Sequence, residues 1–96
     1  MAAVVIEIIY EGDHCIPCVY MLEAVEEAMA AFGQTVSLEV VHLREKKGGL
    51  RYNRLSRQLG QPAPIPSIFI NGQLCFNVTP PVQELQHFIR RILSGG

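Results

Sequence analysis

Val4-Val5-Ile6-Glu7-Ile8-Ile9-Tyr10-Glu11-Gly12-Asp13-His14-Cys15-Ile16-Pro17-Cys18 is the stretch around which the rest of the chain is organised. Ala3 to Tyr10 is an almost unbroken apolar run rich in Val and Ile, interrupted only by Glu7, and Glu11-Gly12-Asp13 ends it. Such a run, bounded by turn residues, predicts a strand buried in the middle of a sheet. From Cys15 to Phe32 the positions Cys18, Leu22, Val25, Met29 and Phe32 recur at helical spacing, with Glu23, Glu26 and Glu27 turned away, and Gly33 is the expected stop. The two cysteines therefore fall where a buried strand hands over to an amphipathic helix.

Outward from that junction, Val36, Leu38 and Val40 alternate with Ser37, Glu39 and Val41, so Thr35 to Leu43 predicts a second strand. Strand, helix and strand within about forty residues imply a right-handed parallel βαβ unit. Arg44 to Lys47 with Gly48-Gly49 reads as a charged turn, and Leu50 to Leu59 as a short helix burying Tyr52, Leu55 and Leu59 and closed by Gly60. The alternate prolines at 62, 64 and 66 require extended backbone. Ser67-Ile68-Phe69-Ile70 and Gln73-Leu74-Cys75-Phe76 flank Asn71-Gly72, the dipeptide suited to a two-residue hairpin turn. Thr79 is the N-cap expected for a last helix that opens on Pro80-Pro81 and buries Val82, Leu85, Phe88, Ile89 and Ile92. Arg90 and Arg91 suit its C-terminal dipole.

The chain has 96 residues, 49% of them apolar and 18% charged. One domain over residues 1–96 is expected, since half that length would bury too little apolar surface to fold. The composition is too apolar for disorder, and no apolar run approaches the ~20 residues of a membrane span. The start lacks the basic region and cleavage site of a secretory leader, which makes the cytoplasm the expected compartment. A net charge of -1 argues against bulk nucleic-acid binding, although residues 1–43 sum to about -7 and residues 44–96 to about +6. Six of the eight bases lie at Arg44, Lys46, Lys47, Arg51, Arg54 and Arg57. A solvated helix face is the ordinary account of them, and recognition of an acidic partner the functional one.

Three cysteines, two of them in one C-x-x-C, do not make a secreted disulfide framework. Spaced i and i+3 at the start of a helix, Cys15 and Cys18 come within bonding reach, where the helix dipole and unpaired amides favour a thiolate. Cys15 stands at the exposed entrance and is the attacking thiol; Cys18, on the apolar stripe, is the resolving one. His14, when protonated, lowers the Cys15 pKa, whereas Glu11 and Asp13 act against a second negative charge. Glu7, inside a buried strand, is a candidate proton carrier; hydrogen bonding or a route to solvent at the sheet edge is the plainer account of it. Cys75 in the hairpin reads as packing, as do His42 and His87 as ordinary polar positions.

Cys15-Ile16-Pro17-Cys18 after a first strand, with Ile65-Pro66-Ser67 opening a hairpin and a last helix, resembles the thioredoxin and glutaredoxin superfamily over essentially the whole chain. That resemblance implies an α/β fold with a four-stranded mixed sheet in the order β2-β1-β3-β4, flanked by three helices. It implies a cis bond before Pro66 beside the disulfide, with Ile65 pairing the substrate backbone. Pro17 before the second cysteine is thioredoxin-like, while His14 replaces the usual Trp and Ile16 the usual Gly. The segment Phe76-Asn77-Val78-Thr79-Pro80-Pro81 does not match the Gly-Gly and acidic stretch of glutathione-binding members. In length and order the chain is most similar to small redoxins directed at protein disulfides.

The expected activity is thiol-disulfide exchange by a monomer acting on protein disulfides and recharged by a dithiol reductant or reductase, with no cofactor, nucleic acid or membrane involved. Two other readings compete. The C-x-x-C pair suits a carrier of a soft metal such as copper or zinc, with His14 as a third ligand or a dimer completing an iron-sulfur site. A binding module on the same scaffold, with incidental cysteines, is the other.

Overall fold

A computed structural model describes residues 2–95. Its strands are β1 (Val4–Tyr10), β2 (Val36–His42), β3 (Ser67–Ile70) and β4 (Gln73–Phe76), and its helices α1 (Ile16–Met29), α2 (Lys46–Leu59) and α3 (Val82–Leu93). The sheet order is β2-β1-β3-β4, with β1 parallel to β2 and antiparallel to β3. Central placement of β1 explains its sequence: six of its seven residues are buried, so both faces are apolar except at Glu7.

Strand alternation divides the interior in two. Val4, Ile6 and Ile8 point to the face covered by α1 and α3, where they pack with Met21, Val25, Leu85 and Ile89. Ile9 points to the face covered by α2 and packs with Val41, Leu55, Ala63 and Phe69. The hairpin turn is as expected, with Asn71 at φ 51° and Gly72 at φ 85°, and Asn71 Oδ1 accepts the Val5 N–H at 2.9 Å to tie the turn to β1.

Three boundaries differ from the sequence reading. Helix α1 stops at Met29, because Ala30, Ala31 and Phe32 turn their N–H groups back by three residues onto Glu27, Ala28 and Met29; Gly33, at φ 61°, opens a 3₁₀ turn over Gly33–Thr35 instead of capping the helix. The deepest side chains on α1 are Cys18, Met21, Val25 and Ala28, while Leu22 and Met29 sit at the margin. Helix α2 begins at Lys46, so the expected charged turn is confined to Arg44 and Glu45, and Lys46, Lys47 and Gly48-Gly49 are helical. A Cβ at Gly48 would lie 1.8 Å from the His42 carbonyl oxygen, so only glycine lets this helix start directly against the end of β2. Finally, Pro81 and not Thr79 is the N-cap of α3, its carbonyl accepting from Leu85.

From Gly60 the chain returns to the start of β3. Ala63 holds this return segment to α2: its carbonyl accepts from the Tyr52 hydroxyl at 2.8 Å, and its N–H donates to Ser56 Oγ at 3.0 Å.

Candidate functional site

The end of β1, the start of α1, the start of β3 and the exit of β4 lie at one edge of the molecule, as the pairings Ile9 with Ser67 and Ile68 with Phe76 require. Cys15 and Cys18 form a disulfide there, with Cα atoms 5.2 Å apart. Cys15 is the N-cap of α1, in extended backbone, and its Sγ accepts the Cys18 N–H at 3.3 Å. A cap position is where helix amides lack partners, so the same N–H that reaches the sulfur in the disulfide stabilises negative charge on it after reduction. Cys18 has no solvent exposure, and Cys15 retains some. Pro17 occupies the second helical position, where its missing N–H is not needed.

The loop before Cys15 is anchored by a contact that the sequence reading missed. Tyr10, buried at the end of β1, donates its hydroxyl to Asp13 Oδ1, and this hydrogen bond pushes the phenol pKa up. Asp13 is thereby turned toward Tyr10, and the Cys15 N–H closes a turn on the Gly12 carbonyl at 3.0 Å. The only sequence signal was an aromatic hydroxyl three residues before an acid. His14 is half exposed, with Nε2 3.9 Å from a Glu11 oxygen. Its ring lies over Gly12, where a Cβ would come within 2.8 Å of it.

Across the edge, the Ile65–Pro66 peptide bond is cis, and the Ser67 hydroxyl donates to the Pro64 carbonyl at 2.7 Å. Three large apolar side chains at this end are left in solvent: Ile16 at 57%, Ile65 at 45% and Val78 at 70% of full exposure.

Glu7 is not brought together with the cysteines. It stands on the α2 face of β1, where both carboxylate oxygens accept from Arg51, at 2.6 Å from Nε and 2.8 Å from Nη2. This pair raises the Arg51 pKa through the hydrogen bond to Glu7 and removes Arg51 from the basic surface expected over residues 44–57. Cys75 lies half-buried in β4, away from the disulfide pairing; burial pushes its thiol pKa up, and the thiol donates to the Gln73 carbonyl at 3.4 Å. Among the described residues no three His, Cys, Asp or Glu side chains gather in a way that could hold a metal ion. No helix among them is long and apolar enough to cross a membrane.

No protein-family model and no curated protein matches the sequence. Among solved structures, the chain superimposes on thioredoxin-2, a component of the malaria parasite protein secretion machinery, with a TM-score of 0.68 over 92% of this chain and 82% of that one, at 15% identity. The chain has a thioredoxin-like fold. A second structure, a malarial protein, matches with a TM-score of 0.64 at 15% identity, covering 92% of this chain and 94% of that one. Within this thioredoxin-like frame the Cys15–Cys18 disulfide sits at the N-terminus of the first helix.

Proposed function

We propose that this thioredoxin-like protein is a thiol-disulfide oxidoreductase that reduces or exchanges protein disulfides. The observation that carries the reading is the asymmetry of the pair: Cys15 caps a helix, accepts an amide and meets solvent, while Cys18 is fully buried. In the reduced protein the Cys15 thiolate attacks one sulfur of a substrate disulfide, forming a mixed disulfide and expelling the first substrate thiolate. Cys18, as thiolate, then attacks Cys15 Sγ, which closes the Cys15–Cys18 bond and expels the second substrate thiolate; both products take protons from water. Two electrons and two protons pass to the substrate, and an external dithiol restores the enzyme. No cofactor takes part.

The exposed Ile16, next to Cys15 in the chain, and Ile65, before the cis proline, support a macromolecular substrate, since apolar residues beside a substrate disulfide can lose water against them. Ile65, before the cis proline, is the residue whose backbone pairs with the substrate in this proposal. His14 and Pro17 tune the reactivity of Cys15.

The test is reduction of insulin disulfides by dithiothreitol with catalytic amounts of the protein. Wild type should accelerate it, Cys15→Ser should abolish the acceleration, and Cys18→Ser should accumulate a mixed disulfide visible by intact mass. Wild-type turnover by Cys18→Ser, or a Cys15–Cys18 pair that never closes while the purified protein carries stoichiometric metal, would overturn the reading in favour of an incidental pair or a metal carrier.

A further inference from the structure

Strand β2 is an edge strand seven residues long, and among the described residues one side of it is unpaired. The bonds at its two ends, Thr35 carbonyl from Ala3 and Leu43 N–H to Tyr10, show that its odd-numbered residues direct their peptide groups to β1. By strand alternation Val36, Leu38 and Val40 direct theirs outward. Among the described residues no other segment bonds to the backbone of Leu38 or Val40.

The side chains along this edge are of two kinds. Leu38 and Val40 lie on the α1 face, half-buried against the large core. Glu39 lies on the opposite face and is exposed, at the mouth of a cleft of about 350 Å³ between β2 and α2 that Glu7, Glu45, Lys47, Gly48 and Arg51 also line. Arg51 is already taken by Glu7, and among the described residues neither Glu39 nor Glu45 has an ion-pair partner. Carboxylate therefore exceeds available base in the cleft.

We propose that the free edge of β2 docks an extended segment of a partner protein in which a Lys or Arg stands between two apolar residues. The segment adds a strand: its backbone bonds to Leu38 and Val40, its apolar side chains flank theirs on one face, and its basic side chain stands beside Glu39 over the cleft on the other. A second copy of this chain does not fit as well. Antiparallel pairing of β2 with itself sets Glu39 against Ser37, Glu39 or Val41, and β2 contains no Lys or Arg to supply the missing charge. The site is separate from the disulfide chemistry, so failure of either reading leaves the other standing.

The experiment titrates the ¹⁵N-labelled full chain with the capped heptapeptides STVKVTS and STVEVTS. STVKVTS should shift the Leu38 and Val40 amides and slow their exchange with solvent, STVEVTS should bind at least about fivefold more weakly, and Glu39→Lys should reverse that order. Equal binding of both peptides, shifts confined to residues away from β2, or no response to either up to about 10 mM would overturn the proposal. So would protection of the β2 amides, without peptide, in a dimer detected by sedimentation, because the occupant would then be a second copy.

Discussion

On one face of the sheet Val4, Ile6 and Ile8 meet two helices that also pack on each other, and every buried side chain at the centre is apolar. On the other face the same strand presents Ile9 and Glu7 to one helix, and the attachment is mixed: a small apolar cluster, a two-point ion pair, a glycine contact and two hydrogen bonds to Ala63. Apolar burial is non-directional and tolerates a range of sequences of suitable volume. The second face depends on specific atoms in specific places. The disulfide is built on the first, on the helix that gives Met21, Val25 and Ala28 to the large core and so anchors the reacting pair by apolar packing.

That contrast is open to attack from several sides. Ile6→Ala, in the middle of the large core, should cost about 2–5 kcal/mol in urea unfolding, as buried aliphatic deletions do. A cost below 1 kcal/mol would mean that this face is not the main source of stability. Gly48→Ala places a methyl group against backbone that cannot yield, and about 3 kcal/mol is expected, with α2 displaced from β2 in amide exchange but the disulfide edge unchanged. Glu7→Gln leaves Arg51 facing a neutral group. Because a third of the Arg51 side chain stays in solvent, the loss should be about 1–3 kcal/mol, and replacing both residues with Leu should recover most of it. If the double replacement is worse than the single one, the pair is more than a substitute for apolar contact.

The smallest effect concerns pH. Tyr10 has a raised pKa in the folded state, through its hydrogen bond to Asp13, so the fold favours the protonated phenol. Its contribution is full below the unfolded value of about 10 and is lost as pH rises through the folded value. Denaturation midpoints from about pH 8 to about pH 11 should fall more steeply in wild type than in Tyr10→Phe. Parallel curves would show that the contact does not anchor the loop.

Much of this was readable beforehand because it is local. The apolar run before Cys15, the helical spacing after it and Asn71-Gly72 each specify an element through nearest neighbours, and all three elements are present. Local signals misled at the starts of two helices. Gly48-Gly49 reads as a turn until the His42 carbonyl is set beside it, and Thr79 reads as a cap although α3 starts three residues later.

The candidate site divides along the same line. By itself the sequence determined that two cysteines stand at i and i+3 where a buried strand meets a helix, because spacing and apolar pattern are properties of adjacent residues. Only the tertiary structure decided that Glu7 belongs to Arg51, forty-four positions away, and not to the disulfide. The cis Ile65–Pro66 bond and the place of β2 at the edge of the sheet, both present in the structure, were implied by the family resemblance and not by neighbouring residues. Contacts between distant segments follow from how the sheet is ordered and which face each side chain takes, and those are settled only when the whole core packs at once.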